Sequence, residues 1–138
     1  MKTSAQNQLK GTIKKIKEGA VNAEVVLSVG LATITSIVTL EAVADLGVKE
    51  GQEAYALIKA SSVLLANEQP KWLSARNIIK GKVAQIASGA VNAKVHLDIG
   101  GATLTSVITM DALHDLKLSV GDSAYAIFKA SSVILGID

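Results

Sequence analysis

From Val21 to Val29 the odd positions are apolar (Val21, Ala23, Val25, Leu27, Val29), while the even ones include Asn22, Glu24 and Ser28. A period of two marks a strand with one buried face, and it predicts the odd set inward. The alternation returns as Val91, Ala93, Val95, Leu97 and Ile99, separated by Asn92, Lys94, His96 and Asp98, so two different sequences specify one register. An earlier strand over about 7–17 ends where Lys17-Glu18-Gly19-Ala20 turns the chain, and a β-branched run over 32–39 predicts a third strand. Positions 39–47 then change period. Thr39 is a plausible N-cap, Glu41 an acid in the first turn, Leu40, Val43 and Leu46 an apolar face, and Gly47 a stop, which together predict a short helix. Gly51 precedes a fourth strand over 54–59, and a short fifth follows over 63–65.

Every one of these elements occurs twice. Ser4-Ala5-Gln6-Asn7 returns as Ser74-Ala75-Arg76-Asn77, and Gly19-Ala20-Val21-Asn22-Ala23 as Gly89-Ala90-Val91-Asn92-Ala93. Lys59-Ala60-Ser61-Ser62-Val63 returns as Lys129-Ala130-Ser131-Ser132-Val133, and no gap is needed between Ser4 and Leu65. The second helix keeps the cap at Thr109, the acid at Asp111 and the face Met110, Leu113 and Leu116, but carries Lys117 where the first has Gly47. An internal repeat divides the chain into copies of one unit, so each residue can be checked against its twin. The expected units are residues 1–66 and 73–138, joined by a stiff connector, 67–72, that holds the only proline, Pro70. Three strands, a short helix and two more strands give an all-β class with short helices. The expected architecture is two tandem five-stranded OB-like Greek-key barrels, although element order alone also permits other small barrels.

Units this small bury a modest share of their surface and call for disulfides, metals or partner subunits. The chain has no cysteine, and its apolar residues are almost all aliphatic, so oligomerisation is the expected aid. Lys2 to Gln8 is polar, and neither a signal-peptide core nor a bilayer-length apolar run is present, which sets a cytoplasmic protein with no membrane partner as the expectation. A net charge of +2 does not describe a nucleic-acid surface. Lys10, Lys14, Lys15 and Lys17 form one basic run, but their twins are Lys80, Ala84, Gln85 and Ala87, so a solvated strand face accounts for it. Base stacking is also poorly served, since Trp72, Phe128, Tyr55 and Tyr125 are the only aromatics.

Catalysis finds no constellation. His96 and His114 are paired with Val26 and Ala44, the acids shared by both copies are Glu41/Asp111 and Asp45/Asp115 on the helices, and no nucleophile or metal-ligand spacing occurs. No enzyme and no cofactor are expected. Outside the core the copies share Ser-Ala-x-Asn, Gly-Ala-Val-Asn-Ala, Thr-x-Thr-Ser and Lys-Ala-Ser-Ser-Val. These segments supply hydroxyls, unobstructed backbone N–H groups and one lysine, with no acid. A tetrahedral dianion has only acceptors, and such a donor set satisfies it. The same segments also fit a plain tight turn and a strand end.

The Ser74-Ala75-Arg76-Asn77, Gly89-Ala90-Val91-Asn92-Ala93-Lys94-Val95 and Lys129-Ala130-Ser131-Ser132-Val133-Ile134-Leu135-Gly136 segments resemble the molybdenum-pterin-binding, or Mop, domain, also called the TOBE-type molybdate-binding domain. Two in tandem resemble the cytoplasmic di-Mop molybdate-binding proteins. The resemblance implies OB-like barrels, a homotrimer, and binding of molybdate or tungstate for storage and homeostasis. It implies sites between domains at Ser4, Ala5, Gln6, Lys59, Ala60, Ser61 and Ser62 and at Ser74, Ala75, Arg76, Lys129, Ala130, Ser131 and Ser132. It implies a second class near the symmetry axis at Gly19, Ala20, Val21 and Asn22 and at Gly89, Ala90, Val91 and Asn92. The alternative is an anion-dependent regulatory or adaptor module read by a separate partner protein. Gln6 departs from the family arginine that Arg76 keeps. If that side chain supplies charge to the anion, the sites of the first copy are expected to be the weaker.

Overall fold

The computed structural model describes residues 2–138; Met1 lies outside them. The first copy forms β1 (Asn7–Glu18), β2 (Asn22–Val29), β3 (Ala32–Thr39), α1 (Leu40–Leu46), β4 (Glu53–Ile58), a 3₁₀ turn (Ala60–Ser62) and β5 (Leu64–Ala66). The second forms β6 (Asn77–Ser88), β7 (Asn92–Asp98), β8 (Thr103–Thr109), α2 (Met110–Leu116), β9 (Ser123–Phe128), a 3₁₀ turn (Ala130–Ser132) and β10 (Ile134–Gly136). Element order and periodicity agree with the sequence pattern, and each helix is closed as its caps predict. Thr39 accepts from the Ala42 N–H and Thr109 from the Ala112 N–H, while Gly47 and Lys117 both end their helices in the left-handed region.

β1 serves two partners. Its first half pairs with β4 and its second with β2, and a bulge between Ile13 and Lys15 bends the strand where it changes partner. β6 repeats this with a bulge between Val83 and Gln85. A bulge re-aims a strand and increases its twist, which is what curls five strands towards a barrel. The inward residues Ala23, Val25, Leu27 and Val29, and Ala93, Val95, Leu97 and Ile99, are buried as the alternation requires. Val21 and Val91 are not: they are 72% and 71% exposed. Both fall in the turn before the strand, where the alternation has not begun.

The fifth strands are exchanged. The sheet orders are β10-β4-β1-β2-β3 and β5-β9-β6-β7-β8, so each five-stranded sheet takes its last strand from the other copy. Ile134, Leu135 and Gly136 pair with Leu57, Ala56 and Tyr55, and Leu64, Leu65 and Ala66 pair with Ile127, Ala126 and Tyr125. Side chains brace the exchange. Ser36 Oγ donates to the Val133 carbonyl at 2.7 Å and Ser106 Oγ to the Val63 carbonyl at 2.6 Å. Asn7 donates from Nδ2 to the Thr105 carbonyl (2.8 Å) and accepts from the Thr105 N–H (2.7 Å). Asn77 makes the same pair of bonds with Thr35, both at 2.8 Å. The matched bonds define a pseudo-twofold relation between copies.

The hairpin tips meet as well. Leu31 N–H donates to the Gly100 carbonyl at 2.7 Å. Gly30 has φ +56°, and a Cβ there would lie 2.1 Å from that carbonyl oxygen, so only glycine fits. The buried aliphatic side chains of both copies form one continuous core.

Candidate functional site

Because β5 and β10 cross between copies, the 3₁₀ turn preceding each is carried against the other copy's third strand. The turn 60–62 packs on β8 and the turn 130–132 on β3. In each turn Ser62 and Val63, or Ser132 and Val133, donate the turn's own hydrogen bonds. The N–H groups of Ala60 and Ser61, and of Ala130 and Ser131, open the turns and take no bond from them. Asn7 and Asn77 fix the chain immediately after Ser4-Ala5-Gln6 and Ser74-Ala75-Arg76. These constraints create two clefts.

The first cleft, about 720 Å³, is lined by Ser4, Ala5, Gln6, Lys59, Ala60, Ser61 and Ser62 with Thr3 and Leu57 from the first copy, and by Val107, Ser131, Ser132 and Ile134 from the second. The second, about 310 Å³, is lined by Ser74, Ala75, Arg76, Lys129, Ala130 and Ser131 with Leu73 and Ile127 from the second copy, and by Ile37 and Leu64 from the first. Every residue expected at an interdomain site lines one of the two. Ser131 lines both, and Ser132 lines the first cleft rather than the one named for its own copy. Neither lining contains a carboxylate. The apolar walls, Leu57, Val107 and Ile134 or Ile127, Ile37 and Leu64, were not legible in the sequence because they depend on the exchange.

Gly19–Asn22 and Gly89–Asn92 line neither cleft. They form the turns between β1 and β2 and between β6 and β7, closed by the Gly19 N–H on the Asn22 carbonyl (2.8 Å) and the Gly89 N–H on the Asn92 carbonyl (2.9 Å). A Cβ at Gly89 would stand 2.9 Å from that carbonyl oxygen, which explains why both copies carry glycine there. The Val21 and Val91 carbonyls accept from the first N–H of each helix, Leu40 and Met110.

One sequence expectation needs correction. Ser36 and Ser106, within the Thr-x-Thr-Ser segments counted as anion donors, are fully buried and spend their hydroxyls on the other copy's backbone. Arg76 does not present an unpaired charge: its guanidinium forms an ion pair with Glu24 of β2. His96 is half-buried, with Nδ1 2.9 Å from Thr105 Oγ1. The basic run is solvated as expected, with Lys10 bound to Glu53 at 2.8 Å. That hydrogen bond holds the Lys10 ammonium above its ordinary pKa. The Tyr55 hydroxyl donates to Asp138 at 2.9 Å, which raises the phenol and lowers the carboxyl from their ordinary values. Among the described residues no cluster of three or more His, Cys, Asp or Glu could hold a metal ion, and no helix is long and apolar enough to cross a membrane.

A family model described as the TOBE domain matches residues 3–65 and again 73–135. The molybdenum-pterin-binding protein MopA of Rhodobacter capsulatus is 41% identical over 140 residues, covering 99% of this chain and 53% of that protein. The molybdenum transport protein ModE of Herbaspirillum seropedicae is 40% identical over 140 residues, covering 99% and 52%. The chain thus spans about half the length of these two relatives. A probable molybdenum-pterin-binding protein of Haemophilus influenzae is 52% identical over 67 residues, 48% of this chain and 97% of that one. Among solved structures, the cytoplasmic molybdate-binding protein ModG with molybdate bound superposes with a TM-score of 0.93 at 47% identity, covering 100% of both chains.

Proposed function

We propose that this chain, which belongs to the TOBE domain family and carries two such domains in tandem, binds molybdate without altering it, in the two clefts between its copies. The observation that carries the reading is the cleft lining. Each cleft has one lysine just before a 3₁₀ turn, Lys59 or Lys129, serine hydroxyls, and small residues that leave backbone N–H groups unobstructed, with no carboxylate. An anion that is all acceptor loses its hydration shell there against converging donors, and a buried carboxylate would oppose it. Phosphate near neutral pH carries a proton that seeks an acceptor, and the linings offer no acid to receive it. Tungstate has the same shape and charge and belongs to the same ligand class.

The role is storage and homeostasis of the oxyanion in the cytoplasm, without catalysis. The exposed Val21 and Val91 support assembly as a homotrimer in which the turns 19–22 and 89–92 meet neighbouring subunits and form a second class of site. A second reading, a sensing segment of an anion-responsive regulator, draws support from the relatives named as ModE, of which the chain matches about half. Calorimetric titration of anion-free protein with molybdate, tungstate, sulfate and phosphate, paired with native mass measurement, tests the proposal. Heat with molybdate and tungstate and a trimeric mass are expected; heat with none of the four refutes it. Capture of a partner only when molybdate is present favours the regulatory reading.

A further inference from the structure

We propose that Ser106 and Ser36 are positioning residues for the anion sites, each acting on the cleft named for the other copy. The inference rests on the clefts being oxyanion sites. The β1–β4 ladder ends at the rung Asn7↔Ile58, and the β6–β9 ladder at Asn77↔Phe128. Beyond those rungs the donor segments leave the sheet: residues 4–6 and 59–62 at the first cleft, 74–76 and 129–131 at the second. Ladder bonds set where these segments begin, but not how their donors converge.

The other copy supplies that constraint. Val63 closes the turn 60–62 by donating its N–H to the Ala60 carbonyl, and its own carbonyl accepts from the Ser106 hydroxyl of β8 at 2.6 Å. One residue back along β8, Thr105 holds Asn7, which follows Ser4-Ala5-Gln6 directly. Neighbouring residues of one strand thus set both donor segments of the first cleft. β3 does the same for the second, through Ser36 on Val133 and Thr35 on Asn77. β3 and β8 are end strands of their sheets, which leaves the outward backbone groups of Thr35 and Thr105 free to take an asparagine. Ser36 and Ser106 are fully buried, so each works through the carbonyl it holds rather than by touching an anion. Without the Ser106 hydroxyl a buried carbonyl loses its partner, and the turn shifts to find another, carrying Lys59 and the Ala60 and Ser61 N–H groups with it. A binding constellation tolerates displacements of only about 0.5 Å.

Ser106→Ala is the decisive variant, because the turn 60–62 lines the first cleft alone whereas the turn 130–132 reaches both. Amide NMR during molybdate titration reads the clefts separately, at Ala60 for the first and Ala130 for the second. In Ser106→Ala the Ala60 midpoint is expected to rise about tenfold, the equivalent of one charge-assisted hydrogen bond, while the Ala130 midpoint moves less than about twofold. A residue serving only the fold of its own copy would disturb Ala130 at least as much. Ser36→Ala is expected to raise the Ala130 midpoint and, through Ser131 and Ser132, the Ala60 midpoint as well. Ser106→Cys, of nearly the same volume with a weaker donor, is expected to shift Ala60 severalfold, and it carries the test if the alanine variant does not fold. An Ala60 midpoint that stays in place in the variant so read, or equal shifts at both amides, overturns the proposal. No response at either amide in the unmodified protein refutes the oxyanion reading of the clefts itself, and this proposal with it.

Discussion

Replacing Asn7 by alanine is expected to destabilise the protein more than the same change at its twin, Asn77. Each asparagine is buried and makes two bonds of 2.7–2.8 Å to one residue of the other copy. Alanine removes both bonds, worth about 1 kcal/mol each, and leaves a backbone N–H and carbonyl unpaired, at about 1–3 kcal/mol where water cannot reach them. The surroundings decide how much of that second cost is felt. Thr105, which loses its partner in Asn7→Ala, is 6% exposed, whereas Thr35, the partner of Asn77, is only half-buried and can be hydrated. The expected losses are about 3 kcal/mol for Asn7→Ala and about 2 kcal/mol for Asn77→Ala. Urea unfolding followed by circular dichroism measures both, at one protein concentration so that any assembly contributes equally. Losses under about 0.5 kcal/mol for both would refute the claim that these side chains brace the copies, and a clearly larger loss for Asn77→Ala would refute the hydration argument that ranks them.

Removing residues 133–138 deletes β10 and with it the buried Val133 and Leu135, each worth about 1.5–3 kcal/mol. Because β10 pairs with β4, hydrogen exchange should accelerate at β4 in the first copy before it does at β9 in the second. Lys117→Gly relieves a left-handed conformation (φ 53°) that Gly47 occupies without penalty, and should raise stability by about 0.5–1 kcal/mol in thermal unfolding. The Tyr55 phenol should titrate lower after Asp138→Asn, read by ultraviolet absorbance. The folded pKa is raised, so the bond stabilises the fold below the pKa of an unfolded tyrosine and is lost as pH rises through the folded one.

The strands and helices were legible because burial imposes local period. Ala23 to Val29 and its twin show one register in two sequences, and Thr39 and Thr109 announce the helix starts by chemistry that needs no tertiary partner. Val21 misled because alternation says nothing about where a strand begins. The exchange of β5 and β10 left no trace in the pattern, since Leu64-Leu65-Ala66 and Ile134-Leu135-Gly136 suit either sheet. Asn7 and Asn77 were visible as part of a shared polar segment, but a structural role for them requires knowing that β8 and β3 run alongside. The polar walls of the clefts were legible through the resemblance to a known family, whereas their apolar walls and the Glu24 partner of Arg76 depend on how the copies dock.

Anomalous diffraction from crystals of the protein saturated with molybdate tests the central claim most directly, since it places molybdenum without reference to any residue's assumed role. Density is predicted in both clefts, against Lys59, Ala60, Ser61 and Ser62 in one and Lys129, Ala130 and Ser131 in the other. Molybdenum confined to the turns at 19–22 and 89–92, or absent from the protein altogether, would contradict it.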